Sequence, residues 1–92
     1  MAHFIHVGFR FNGPAPVTAL ERVFNGALDW LRYDEHCWIL YTTTDIDVWR
    51  DRIRQVPGVQ PSDSFFLCEF DAKYSGYMHK WAWDWLRKDR SK

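Results

Sequence analysis

Between residues 3 and 11 hydrophobic and polar positions alternate imperfectly. Ile5, Val7, Phe9 and Phe11 fall on one side, and Phe4, His6, Gly8 and Arg10 on the other. A period of two is a strand signal, and apolar side chains on both sides predict burial of much of both faces. Gly8 leaves room for a helix or a partner backbone to come close. Asn12-Gly13-Pro14-Ala15-Pro16 ends the strand, because proline has no amide hydrogen for a ladder and Asn-Gly favours a turn. From 17 to 25 the period becomes helical. Val17, Leu20, Phe24 and Leu28 share one side, Glu21 and Arg22 face outward, and Gly26 sits where a left-handed stop is expected.

The central stretch 27–44, ALDWLRYDEHCWILYTTT, predicts two strands and the start of a second helix. Leu28, Trp30 and Arg32 alternate with Asp29, Leu31 and Tyr33; Cys37, Ile39 and Tyr41 alternate with His36, Trp38 and Leu40. Asp34-Glu35 suits a type I′ turn poorly, so a wider loop or a bulge is expected between the strands. Thr44 followed by Asp47 fits a capping box with an acid in the first turn. Ile46, Trp49, Ile53 and Val56 form an apolar stripe, a core face, while Asp47, Arg50, Asp51 and Arg54 decorate the other side in i, i+3 and i, i+4 pairs. Pro57-Gly58 ends this helix and 65–70 is a dense fourth strand. A last helix over 77–88 is expected to lay Met78, Trp81, Ala82 and Trp85 on the sheet, leaving Trp83 as the exposed aromatic.

The order β-α-β-β-α-β-α predicts one α+β domain spanning 1–92. Its expected form is a ferredoxin-like βαββαβ unit with a C-terminal helix and an antiparallel sheet in the order 4-1-3-2. In that order strands three and four flank strand one. Cys37 and Cys68 then stand about 9–10 Å apart, beyond the ~7 Å that a disulfide allows.

Composition adds a partner. Six Trp, seven Phe and four Tyr in 92 residues are hard to hide in one small core, since each buries roughly 150–250 Å². Some are expected on an outer patch, and a homodimer is the simplest consequence. Twelve basic and twelve acidic residues balance, so no global field attracts nucleic acid. The basic run Arg87, Lys88, Arg90, Lys92 reads as a solvated tail rather than a phosphate contact. No apolar run reaches the roughly 18 residues of a membrane span, and the N-terminus does not read as a signal peptide. With two cysteines, best read as small buried hydrophobes, a cytoplasmic location with reduced thiols is the expectation.

The middle and C-terminal parts resemble a family of small Cas2-like proteins, often called SinR-like. The resemblance lies in Leu28-Asp29-Trp30-Leu31, in Cys37-Trp38-Ile39-Leu40-Tyr41 and the Thr-Asp helix start that follows. It extends to Asp63-Ser64-Phe65-Phe66-Leu67-Cys68-Glu69-Phe70 and to Trp85-Leu86-Arg87-Lys88. It implies a ferredoxin-like fold and a tendency to dimerise. Cas2 nucleases are expected to hold a divalent metal with an Asp near the end of the first strand. Arg10 aligns with that Asp, and a guanidinium cannot ligate Mg²⁺. A plain salt bridge is the expected fate of Arg10.

Other chemistry is sparse. There is no Gly-rich phosphate loop, no G-x-S-x-G and no Cys-x-x-Cys. His3 and His6 leave a strand by opposite faces and do not share a metal, and His36 and His79 read as packing residues. Asp29, Asp34 and Glu35 read as guards of a sheet edge. No catalytic, cofactor or metal residue is assigned. Arg10, Arg50, Arg54, Trp83, Arg87 and Lys88 are the candidate contact residues. The expected function is that of a non-enzymatic, dimer-forming protein that works by macromolecular contact, with an unidentified protein partner. A Cas2-like nucleic-acid-binding protein or metal-dependent endonuclease is the alternative, and a phage or mobile-element regulator of a host system is a third reading.

Overall fold

A computed structural model describes residues 1–71 and 73–90. The elements follow the expected order: β1 (His3–Arg10), α1 (Val17–Phe24), β2 (Asp29–Asp34), β3 (Cys37–Thr42), α2 (Ile46–Arg54), β4 (Ser64–Phe70) and α3 (Lys80–Arg87). The strands form one antiparallel sheet in the order β2-β3-β1-β4. Cys37 pairs across from Gly8 and Cys68 across from His6, on opposite sides of β1, and both thiols are free. Cys68 is exposed and Cys37 half-buried, so neither is the buried hydrophobe expected.

Three layers result. Ile5, Val7, Trp38 and Leu40 meet Leu20 and Phe24 of α1 and Trp49 and Ile53 of α2 in the main core. Leu31 and Ile39, on the opposite sheet face, meet Leu86 of α3 in a smaller one. The buried indoles are satisfied, as an N–H removed from water requires. Trp49 Nε1 donates to Thr42 Oγ1 at 3.2 Å. Trp38 Nε1 donates to Glu21 Oε2 at 3.1 Å, which turns Glu21 inward rather than to solvent.

Four local expectations are corrected. Asp45, not Thr44, caps α2, with its carboxylate accepting from Asp47 N at 3.1 Å; Thr44 N is instead held by Thr42 Oγ1. Gly26 is not left-handed: the positive-φ glycines are Gly58 and Gly76. The chain leaves α1 through tight turns, Gly26 N to Val23 O and Ala27 N to Phe24 O, and Gly26 is small because Val23 O and the Trp49 ring lie close. The expected bulge between β2 and β3 is present, between Arg32 and Asp34, but the turn lies at 35–36 rather than at Asp34-Glu35.

The fourth correction concerns α3, which begins at Lys80, three residues later than expected. Met78 is then outside the helix, and Ala82 with Leu86 defines its buried line. That rotation puts Trp83 against the smaller core and exposes Trp81.

Candidate functional site

The phase of β1 determines what the outer edge of β4 presents. Phe9 N donates to His36 O at 3.0 Å, just beyond the start of β3. A strand residue points its N–H and C=O the same way, and neighbours point oppositely. The odd residues of β1 therefore bond β3 and the even ones bond β4. Gly8 lies opposite Phe66 and His6 opposite Cys68, so Ser64, Phe66, Cys68 and Phe70 face β1. Phe65, Leu67 and Glu69 turn their N–H and C=O groups outward, where the sheet ends.

That edge lacks the usual guards. It is seven residues long, carries no proline or lysine, and its single charge is Glu69 near one end. Edge strands of such composition pair readily with another chain. Phe66 is 68% exposed beside this edge. A groove of about 500 Å³ runs between β4 and α2, lined by Arg50, Arg54, Phe65, Phe66 and Leu67 among others.

The six expected contact residues do not form one surface. Arg50 and Arg54 lie along the β4 groove. Arg50 is held by Asp47 at 3.2 Å and by Asp51 at 3.1 Å, which raises its pKa, chiefly through the Asp51 hydrogen bond. Arg54 has no ion-pair partner among the described residues. Arg10 lies exposed at the end of β1, opposite Ser64, and makes no salt bridge among the described residues, contrary to expectation. The remaining three belong to α3 and its end. Arg87 stacks over Trp83 at 5.6 Å, and Lys88 Nζ lies 3.7 Å from Asp29.

In the basic tail Arg87 and Lys88 are exposed, as expected, but Arg90 is not solvated. The Arg90 side chain is only 11% exposed, with its guanidinium over Trp85, Tyr41 and Phe4 at 4.5, 4.7 and 5.4 Å. It donates to Trp85 O at 2.6 Å and lies 3.7 Å from Asp29. One cation thus caps the C-terminus of α3 and fastens it to the sheet. Charge patterning alone gave no sign of this. The signal was the aromatic trio, whose convergence only the fold supplies. Lys92 lies outside the described residues.

Opposite α1 and α2, beside α3, the sheet face carries a polar cluster. The Tyr33 hydroxyl hydrogen-bonds His6 Nε2, and the Cys37 thiol lies beside the same hydroxyl. Burial lowers the His6 pKa from 6.5, which keeps the ring neutral at pH 7, and we assign Nε2 as the acceptor. Burial, then Cys37 and Asp34, pushes the Tyr33 pKa up to about 12. The pair forms the floor of a cavity of about 250 Å³ walled by Ile39, Phe70, Tyr74 and Trp83. A second cleft, about 450 Å³, opens beside it towards Asp34 and Trp81. Tyr33, on the same sheet face as Leu31, lines both.

Among the described residues no three His, Cys, Asp or Glu side chains gather as metal ligands, and no helix is long and apolar enough to cross a membrane. Comparison with protein-family models, with curated proteins and with solved structures found no match.

Proposed function

We propose that this chain is a non-enzymatic contact domain that forms a homodimer through the free edge of β4. The carrying observation is that edge: Phe65, Leu67 and Glu69 turn unpaired backbone groups outward beside exposed Phe66. A two-fold axis through Leu67 pairs it with its own copy, Phe65 with the partner's Glu69, and Phe66 with the partner's Cys68. Six backbone hydrogen bonds follow, each worth about 0.5–1.5 kcal/mol net, and two four-stranded sheets become one.

Charge supports the same pairing. Phe65 and Leu67 pack towards the helix side of the sheet, and Glu69 shares their parity. The partner's Glu69 therefore arrives on the helix side, beside the groove that holds unpaired Arg54. The strand order, with α1 and α2 on one face, supports the ferredoxin-like reading, and the Cas2-like likeness remains our reading of the sequence pattern. Dispersal of the basic residues over separate surfaces favours protein contact over a nucleic-acid track.

Light scattering on the eluting protein tests this reading. The expected mass is twice the 11.1 kDa chain. Glu69→Pro removes an outward N–H and the half-exposed carboxylate 3.6 Å from His3 Nε2, leaves the β1 ladder whole and should give a monomer with unchanged circular dichroism. Arg54→Glu should weaken the dimer, and adding Glu69→Arg should restore it. A monomeric parent protein, or a dimer indifferent to all three variants, overturns the reading.

A further inference from the structure

On the β2 side of the molecule, far across the sheet from β4, the cleft at the start of α3 is left without a role by dimer formation. Tyr33, Tyr77, Trp81, Met78, His79 and Asp34 line about 450 Å³. Two of these aromatics are spread to solvent: Tyr77 is fully exposed and Trp81 is 51% exposed. The His79 ring stacks parallel to Trp81, 6.4 Å away. Neither Tyr77 nor Trp81 belongs to either hydrophobic core, so folding does not account for aromatic residues there.

The charges around the cleft are one-sided. Asp34 has no ion pair and no side-chain hydrogen bond among the described residues. The lysine next to Trp81 in the chain, Lys80, is committed to Asp84 at 2.8 Å. The Arg32 guanidinium lies over Trp38 on the opposite sheet face and donates to Glu35 O. A free carboxylate among aromatic faces attracts cations and repels phosphates.

We propose that this cleft binds an organic cation of the quaternary-ammonium class. Aromatic faces and a single carboxylate suit a cation with no hydrogen to donate. A primary ammonium carries three donors and meets one free carboxylate, Asp34, in a cleft of aromatic faces, so it gains less there than a cation with no donors to satisfy. The N-terminus of α3, with no acid in its first turn and no side-chain cap, opposes a cation with about half a charge. Binding is therefore weak and selective rather than tight.

The test titrates the whole chain with choline chloride at constant ionic strength, following indole fluorescence and the Trp81 indole N–H resonance. Saturable binding is expected, with dimethylbutanol, choline's uncharged isostere, and ethanolamine, its primary-amine counterpart, each weaker by about tenfold. Tyr77→Ala, Trp81→Ala and Asp34→Asn should each weaken choline by a similar factor. Tyr77 supports no packing, so that variant cannot lose binding by unfolding. No saturable change with choline, equal binding of dimethylbutanol, or an unaltered Asp34→Asn titration overturns the proposal.

Discussion

Replacing Arg90 by alanine removes the cation that joins α3 to the sheet. Its guanidinium lies 4.5–5.4 Å from the centres of three aromatic rings, and a desolvated stack of this kind contributes about 1–2 kcal/mol. Its hydrogen bond to the carbonyl of Trp85, made at 2.6 Å, adds about 1.5–3 kcal/mol, the range for a charged donor. Against this, Arg90 Nε is buried without a hydrogen-bond partner, which costs about 1 kcal/mol. The ion pair with Asp29, at 3.7 Å and partly solvated, is worth about 0–1 kcal/mol. The expected net loss is about 1.5–5 kcal/mol. Urea unfolding followed by tryptophan fluorescence measures it, and a lower urea slope would accompany undocking of α3, which exposes Leu31 and Ile39 before unfolding begins. Arg90→Lys should recover only part of the loss, since an ammonium cannot stack as a plane. Asp29→Asn should cost under about 1 kcal/mol. A loss below about 0.5 kcal/mol in Arg90→Ala, the range of ordinary surface changes, would refute the stacking account.

Thr42→Val leaves Trp49 Nε1–H and Thr44 N–H without their shared acceptor, and should cost about 1–3 kcal/mol by denaturant midpoint. Gly58→Ala meets both a φ of +99° and Pro16 Cβ 2.8 Å from the new methyl, so a loss of about 1–3 kcal/mol is expected; Gly26→Ala, with negative φ and no contact below 3.3 Å, should cost distinctly less. The pH profile of stability has two limbs from the His6–Tyr33 pair. Between the lowered folded-state pKa of His6 and 6.5 the unfolded chain binds more protons, so stability falls as pH drops through that window. Between 10 and about 12 the unfolded chain has lost a Tyr33 proton that the folded chain keeps, so stability falls as pH rises. Tyr33→Phe should flatten the alkaline limb, measured by urea midpoints across the pH range.

Much of the architecture is legible in the periodicities. The alternation of Ile5 and Val7 in β1 and the stripe of Ile46, Trp49 and Ile53 each mark the face that packs into the main core, because burial imposes those periods directly. What the periods leave open is phase at the ends. With six tryptophans competing for one surface, α3 can be rotated to bury Trp81 or Trp83 from pattern alone, and the helix start at Lys80 decides between them. Asp45 displaces Thr44 as cap because a carboxylate one residue later reaches Asp47 N, a choice between two good capping residues that spacing does not settle. The site is less legible than the fold. Arg54, Phe66 and Trp81 owe their availability to which neighbours have partners, and Arg90 owes its burial to Phe4, Tyr41 and Trp85, drawn from three distant segments. Single-residue character carries none of that.

The central claim, an edge-to-edge dimer about Leu67, predicts one covalent outcome. Phe66 and the partner's Cys68 form a pair without mutual hydrogen bonds, about 4.5 Å between Cα atoms, within the range a disulfide spans. Phe66→Cys in a Cys37→Ala background should therefore oxidise to a covalent dimer, with peptide mapping joining position 66 of one protomer to Cys68 of the other. A product that stays monomeric on non-reducing gels, or one linked only Cys68 to Cys68, would contradict it.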